Sequence, residues 1–182
     1  MPVLIPLAEG VEPLEAVTII DVLRRASIRV TTVSLTDHIT IHAAHGIKLA
    51  ADTTWDAINL DDFGALVLPG GAKGTELLKS DERILNAVRE FHDTERHICA
   101  LCAAPTVLAE AGILEGRTAT CYPSCAEELG LSYDNAPVIA DGNIITGQGP
   151  GTALLFSLVL IQHFKGDEVA QQVADAMLTT IQ

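Results

Sequence analysis

Positive charge is what this chain has least of: 11 Lys and Arg stand against 24 Asp and Glu, for a formal charge of −13. That balance repels phosphate backbones and anionic lipid surfaces alike, which argues against a nucleic-acid duplex or a membrane as partner. Long apolar runs are also missing. The longest, from Ala153 to Ile161, is broken by Ser157 and is too short to span a bilayer. The opening stretch Met1-Pro2-Val3-Leu4-Ile5-Pro6-Leu7 carries no basic leader, so it reads as a first strand and not a signal peptide, and the expectation is a soluble, cytoplasmic protein. Internal repeats, low-complexity tracts and linkers are absent. What is present is 182 residues with 48% hydrophobic and 19% charged content, enough for one domain over residues 1–182 with a large core.

Strand-like and helix-like segments alternate along the chain with short turns between them. Val3 to Leu7 reads as a strand, and Pro13 opens a helix from Leu14 to Arg25 in which Leu14, Val17, Ile19, Val22 and Leu23 make the buried side. Ile28 to Leu35 is a second strand, rich in β-branched residues. Ile39 to Ala50 looks like two short extended pieces outside the main sheet. The continuous apolar run Ala65 to Leu68 is the signature of a central parallel strand covered on both faces. After it come a helix from Asp81 to Thr94, strand His97 to Leu101, helix Pro105 to Ala111, strand Thr118 to Tyr122 and a short helix Cys125 to Leu129. Asp141-Gly142 marks a hairpin between Pro137–Ala140 and Asn143–Thr146, and helices Gly151 to Phe164 and Asp167 to Thr180 close the chain. The pattern implies an α/β, flavodoxin-like, doubly wound and mostly parallel sheet with helices on both faces, its site at the carboxyl ends of the strands.

At that edge the stretch His97-Ile98-Cys99-Ala100-Leu101-Cys102-Ala103-Ala104-Pro105 has the grammar of a nucleophile elbow, with the small residues Ala100 and Ala104 two positions either side of Cys102. A thiol there lies at a helix N-terminus, where free N–H groups and the helix dipole favour the thiolate. The four cysteines, at 99, 102, 121 and 125, can also be drawn as a zinc site or as a disulfide. Strand alternation argues against zinc, because it points Cys99 and Cys102 to opposite faces and makes Cys99 a small core hydrophobe.

Three loops following strands converge on this edge. Glu15, one turn into the first helix, can lean back toward the thiol, either protonated and donating to it or ionised as a base; desolvation beside an anion favours the protonated form. Alternatively, Glu9, Glu12 and Glu15 simply decorate a helix N-terminus, where negative charge is favourable. Gly70 and Gly71 let backbone N–H groups approach a ligand and, with the N–H of Ala103, form an oxyanion pocket; a plain tight turn explains them equally well. Thr146-Gly147-Gln148-Gly149-Pro150-Gly151-Thr152 is a second glycine-rich turn that could line the site, with Gly149 and Pro150 as lining residues, yet it lacks the lysine and spacing of a nucleotide loop. No histidine follows Cys102 to act as a protease base; His45 is the remaining histidine nearest to a role. No metal or cofactor is implied.

Taken together, Ala8-Glu9-Gly10-Val11-Glu12-Pro13-Leu14-Glu15, Leu68-Pro69-Gly70-Gly71, Ala100-Leu101-Cys102-Ala103-Ala104-Pro105 and Gly147-Gln148-Gly149-Pro150-Gly151-Thr152 resemble the ThiJ/PfpI superfamily over nearly the whole chain. The resemblance is greatest to its Parkinson's-disease-protein branch, homodimeric flavodoxin-like proteins described as protein deglycases, glutathione-independent glyoxalases and redox-responsive chaperones. It implies Cys102 as the oxidisable nucleophile, Glu15 as its protonated partner, and Gly70, Gly71 and Ala103 as backbone donors. It further implies Arg25 at a homodimer interface. Tyr122 stands where some members carry a histidine before proline, and His45 where relatives often carry arginine, so neither a histidine relay nor an arginine anion pocket transfers. The expected activity is Cys102-dependent turnover of methylglyoxal-type dicarbonyls or their protein and nucleotide adducts; the alternative is a redox-sensing chaperone in which Cys102 becomes a sulfinate.

Overall fold

The computed structural model describes residues 1–181. In chain order its main elements are β1 (Val3–Leu7), α1 (Pro13–Arg25), β2 (Val30–Ser34), β3 (Thr40–His42), β4 (Lys48–Ala50), β5 (Thr53–Thr54), β6 (Ala65–Leu68), α2 (Ala72–Ser80), α3 (Glu82–Asp93) and β7 (His97–Leu101). They continue with α4 (Pro105–Glu110), α5 (Ala126–Leu129), β8 (Val138–Asp141), β9 (Ile144–Gly147), α6 (Ala153–Lys165) and α7 (Asp167–Ala176).

Seven strands form one sheet in the order β5-β2-β1-β6-β7-β9-β8, parallel throughout except for the β8–β9 hairpin. The order runs outward from β1 in both directions, so a crevice opens at the carboxyl ends of β1 and β6. The ladder between these two strands pairs only Val3 with Ala65 and Leu4 with Leu66, and Pro6, which has no N–H, lies beyond its end. β3 and β4 pair only with each other, as the sequence suggests for Ile39 to Ala50.

Strand alternation divides the core in two. Val3, Ile5, Leu7 and Leu101 face α1, α6 and α7, while Leu4, Leu66, Leu68 and Ile98 face α3 and α4. Every residue of β1 and β6 is buried, which explains why those segments are apolar without interruption.

The fold differs from the sequence expectations in four places. Leu14 and Val17 are 53% and 49% exposed, because the inward arc of α1 is made by Glu15, Ala16, Ile19, Val22 and Leu23 and leaves those two outside it. Residues 118–122 form no strand. Their N–H groups are taken by Asp141 Oδ2 at Thr118, the Ser132 carbonyl at Ala119, Thr146 Oγ1 at Thr120 and the Cys102 carbonyl at Tyr122, so only an isolated bridge between Ala119 and Tyr133 forms in place of a ladder. Helix α2 was not evident because glycines flank and interrupt it; Gly74 is needed there, since a Cβ would lie 2.9 Å from the Val11 backbone. Finally, Cys99 and Cys102 pack in the same apolar cluster, because the backbone reverses at Cys102 (φ 65°) and resets the alternation. No helix among the described residues is long and apolar enough to cross a membrane.

Candidate active site

Cys102 occupies the turn between β7 and α4 in a left-handed conformation, φ 65°, which costs an ordinary residue on the order of 1–3 kcal/mol and persists only where the surroundings impose it. They do so through the backbone. The Cys102 N–H donates to the Gly147 carbonyl at 2.9 Å, and the Cys102 carbonyl accepts from the Tyr122 N–H at 2.7 Å. Ala100 and Ala104 are fully buried, as an elbow requires, and the cysteine itself is 9% exposed.

Glu15 reaches the thiol from α1. It is 0% exposed, its Oε2 accepts the Gly70 N–H at 2.8 Å, and its carboxyl lies beside Cys102. Gly70 is therefore not a free donor for a ligand, as the sequence suggested; its N–H holds Glu15. The same position has no room for a side chain, because a Cβ would lie 2.7 Å from Cys102 Cβ and 2.8 Å from Glu15 Oε2. Gly71 (φ 100°) is equally constrained, with the Glu12 nitrogen 2.5 Å from any Cβ. Its N–H and that of Ala103 favour the charged form of the Cys102 sulfur.

Burial pushes the Glu15 carboxyl up to about 7, over the opposing contacts of the thiol and the Gly70 N–H. Burial, and after it the charge of Glu15, push the Cys102 thiol up to about 12, over the Ala103 and Gly71 N–H groups. This reverses the expectation that the helix N-terminus alone favours the thiolate; α4 spans six residues, and its N–H groups do not outweigh desolvation. Two groups in contact lose their protons as a pair, the first at about 7. Glu15 Oε1 is buried without a hydrogen-bond partner of normal geometry, and a proton on it turned toward the sulfur satisfies both atoms.

Around this pair the rim is acidic and partly aromatic. His45 sits on the hairpin between β3 and β4 and pairs with Glu12 Oε2 at 3.2 Å; His42 pairs likewise with Glu9. His45 is thereby tied to Glu12, the residue that caps α1. Tyr122 lies against Gly149, and a cleft of about 240 Å³ runs between them, lined also by Gln148 and Pro150. Two backbone clamps escaped the sequence reading, the Gly147 carbonyl and the Tyr122 N–H. For the first a signal existed in the glycine of Thr146-Gly147-Gln148, where a Cβ would press on Leu101 at 2.5 Å. All four cysteines are free, and among the described residues no group of three or more His, Cys, Asp or Glu side chains is arranged to hold a metal ion.

The fold and site together define a doubly wound α/β protein whose elbow cysteine faces a buried carboxyl. The DJ-1/PfpI family model matches residues 1–163, and the chain belongs to that family. It is 42% identical over 180 residues to Protein DJ-1 homolog A of Arabidopsis thaliana, covering 97% of this chain but 46% of that protein, so it spans about half the relative's length. The crystal structure of Drosophila melanogaster DJ-1beta superposes with a TM-score of 0.95 at 36% identity, covering 99% of this chain and 100% of the other. Oxidized Toxoplasma gondii DJ-1 superposes with a TM-score of 0.94 at 29% identity, over 98% of each chain.

Proposed function

We propose that this chain is a cysteine-dependent enzyme acting on small dicarbonyls such as methylglyoxal and on the adducts they form with protein thiols and amines or with nucleotides. The observation that carries the reading is the Cys102–Glu15 pair, a strained thiol against a carboxyl whose buried position retains a proton near neutral pH. Once Glu15 has lost its proton, its carboxylate takes the thiol proton as the sulfur attacks the aldehyde carbon. The oxyanion that forms is held by the Gly71 and Ala103 N–H groups and takes the proton of Glu15, giving a hemithioacetal. Glu15, now a carboxylate, moves a proton from the former aldehyde carbon to the neighbouring carbon while the hydroxyl proton passes to the neighbouring oxygen, which leaves a thioester of a 2-hydroxy acid. Water cleaves the thioester and restores the thiol, so that methylglyoxal plus water becomes lactate. Access of 9% suits a small aldehyde, and Tyr122, Gly149 and Pro150 provide the adjoining wall.

Replacing Cys102 with Ser should abolish lactate formation from methylglyoxal, whereas full activity in that variant overturns the reading. A second reading is supported by the same donors: sulfinate at Cys102, accepting from protonated Glu15 and the Gly71 N–H, would make the site a redox sensor with little turnover. Intact mass after mild peroxide separates the two. A stable gain of two oxygens that is lost in Cys102→Ser, without turnover, favours the sensor. We also propose a cytoplasmic homodimer, with Arg25 at the interface beside the exposed Leu14 and Val17 of α1, since apolar side chains on one helix face suit a second copy of the chain.

A further inference from the structure

Beyond the elbow, the turn joining residues 118–122 to α5 carries the two remaining thiols. Cys121 is fully buried and Cys125 is partly accessible, packed against the cluster that contains Cys121. Both residues converge on one atom, the Tyr122 carbonyl. The Cys121 thiol donates to it at 3.4 Å and the Cys125 N–H at 2.8 Å, so the first sulfur and the second backbone lie within two hydrogen bonds of each other. Burial pushes the Cys121 thiol up to about 12, with Cys125 and Glu128 adding to the rise. The backbone holding them is light: a single 3-10 turn from Pro123 to Cys125, followed by a four-residue helix.

We propose that Cys121 and Cys125 form a reversible disulfide whose closure moves Tyr122 at the mouth of the Cys102 site. The chemistry needs a hydroperoxide. Cys125, the accessible partner, displaces hydroxide from hydrogen peroxide and becomes a sulfenic acid; the Cys121 sulfur attacks that sulfur and water leaves. Two thiols thereby give up two hydrogens and two electrons, and the peroxide ends as two waters. Residues four apart round a regular turn keep their Cβ atoms about 5–6 Å apart, whereas a disulfide needs about 3.8 Å. Tyr122 is extended (φ −58°, ψ 132°), so Cys121 enters the turn off the helical track and closure must rotate Tyr122. That residue's N–H holds the Cys102 carbonyl, and its ring covers Gly149. The bridge therefore acts on the elbow's clamp and on its outer wall together.

The test uses the full chain carrying Cys102→Ser, so that neither oxidation of the elbow thiol nor dicarbonyl turnover enters the result. After hydrogen peroxide, intact mass should fall by two hydrogens, with the link mapped to Cys121 and Cys125 and reversed by a dithiol reductant. Adding Cys125→Ser at the accessible position should remove the loss. Oxygen addition at Cys125 without a bridge, or a bridge surviving Cys125→Ser, overturns the pairing. In the bridged form the Tyr122 amide should exchange its hydrogen at least about tenfold faster than in the reduced form. Unchanged exchange there overturns the coupling to the elbow.

Discussion

Cys99 and Cys102 lie three residues apart, one inside β7 and the other just past its end, and both pack in the same apolar cluster. Burial raises both thiols, and Cys99, which is fully enclosed, is pushed well above the usual thiol range. What separates them is their company. Cys99 has no ionisable group among the causes of its shift, whereas Cys102 has the Glu15 carboxyl and the N–H groups of Gly71 and Ala103. A buried thiol becomes useful when a neighbour can exchange a proton with it and fixed dipoles await the charge. The end of the strand supplies both, because only there does the backbone turn away from its ladder and leave N–H groups free.

The comparison breaks most sharply on replacement of Cys102. Cys102→Ser should lower methylglyoxal turnover by about a thousandfold or more, measured as lactate, since the alcohol is a far weaker nucleophile at neutral pH. Next comes the spacing between the two side chains. Gly70→Ala inserts a Cβ between Cys102 and Glu15 and should cost about a hundredfold in kcat while the chain still folds, as judged by circular dichroism. The charge on Glu15 should also register in stability. Its carboxyl is raised from 4.5 to about 7 in the folded chain, so the folded state binds the proton more tightly than the unfolded one. The stability present at low pH is therefore lost as pH climbs from about 4.5 to about 7, and Glu15→Gln should flatten that slope in urea unfolding. The smallest effect belongs to Cys99→Ala, which should leave kcat unchanged and cost about 1 kcal/mol of stability.

Much of this was legible in the chain. The uninterrupted run Ala65 to Leu68 announced a central strand, Asp141-Gly142 a hairpin, and Ala100 and Ala104 the elbow, because each is a local demand of backbone or packing. Helix α2 was hidden because Gly71 and Gly74 are there for close approach to the loop between β1 and α1, which only the fold reveals. Residues 118–122 have strand-like composition but find side-chain and elbow partners and a single bridge to Tyr133 in place of a ladder. Within the site, the position of Glu15 in α1 allowed either a partner for Cys102 or plain decoration of a helix N-terminus, and its complete burial beside Gly70 decides for the first. The direction of the thiol's shift could not, since it depends on how deeply three loops bury the pair.

The central claim is that Cys102 and Glu15 work as one acid. The most direct measurement is the rate of Cys102 alkylation by iodoacetamide against pH, in wild type and in Glu15→Gln. The account predicts an inflection above the usual thiol range in wild type, where burial and the charge of Glu15 both oppose the thiolate, and a lower inflection in Glu15→Gln, where burial acts on the thiol without that charge. An inflection that stays in place or moves up when Glu15 is replaced would contradict it.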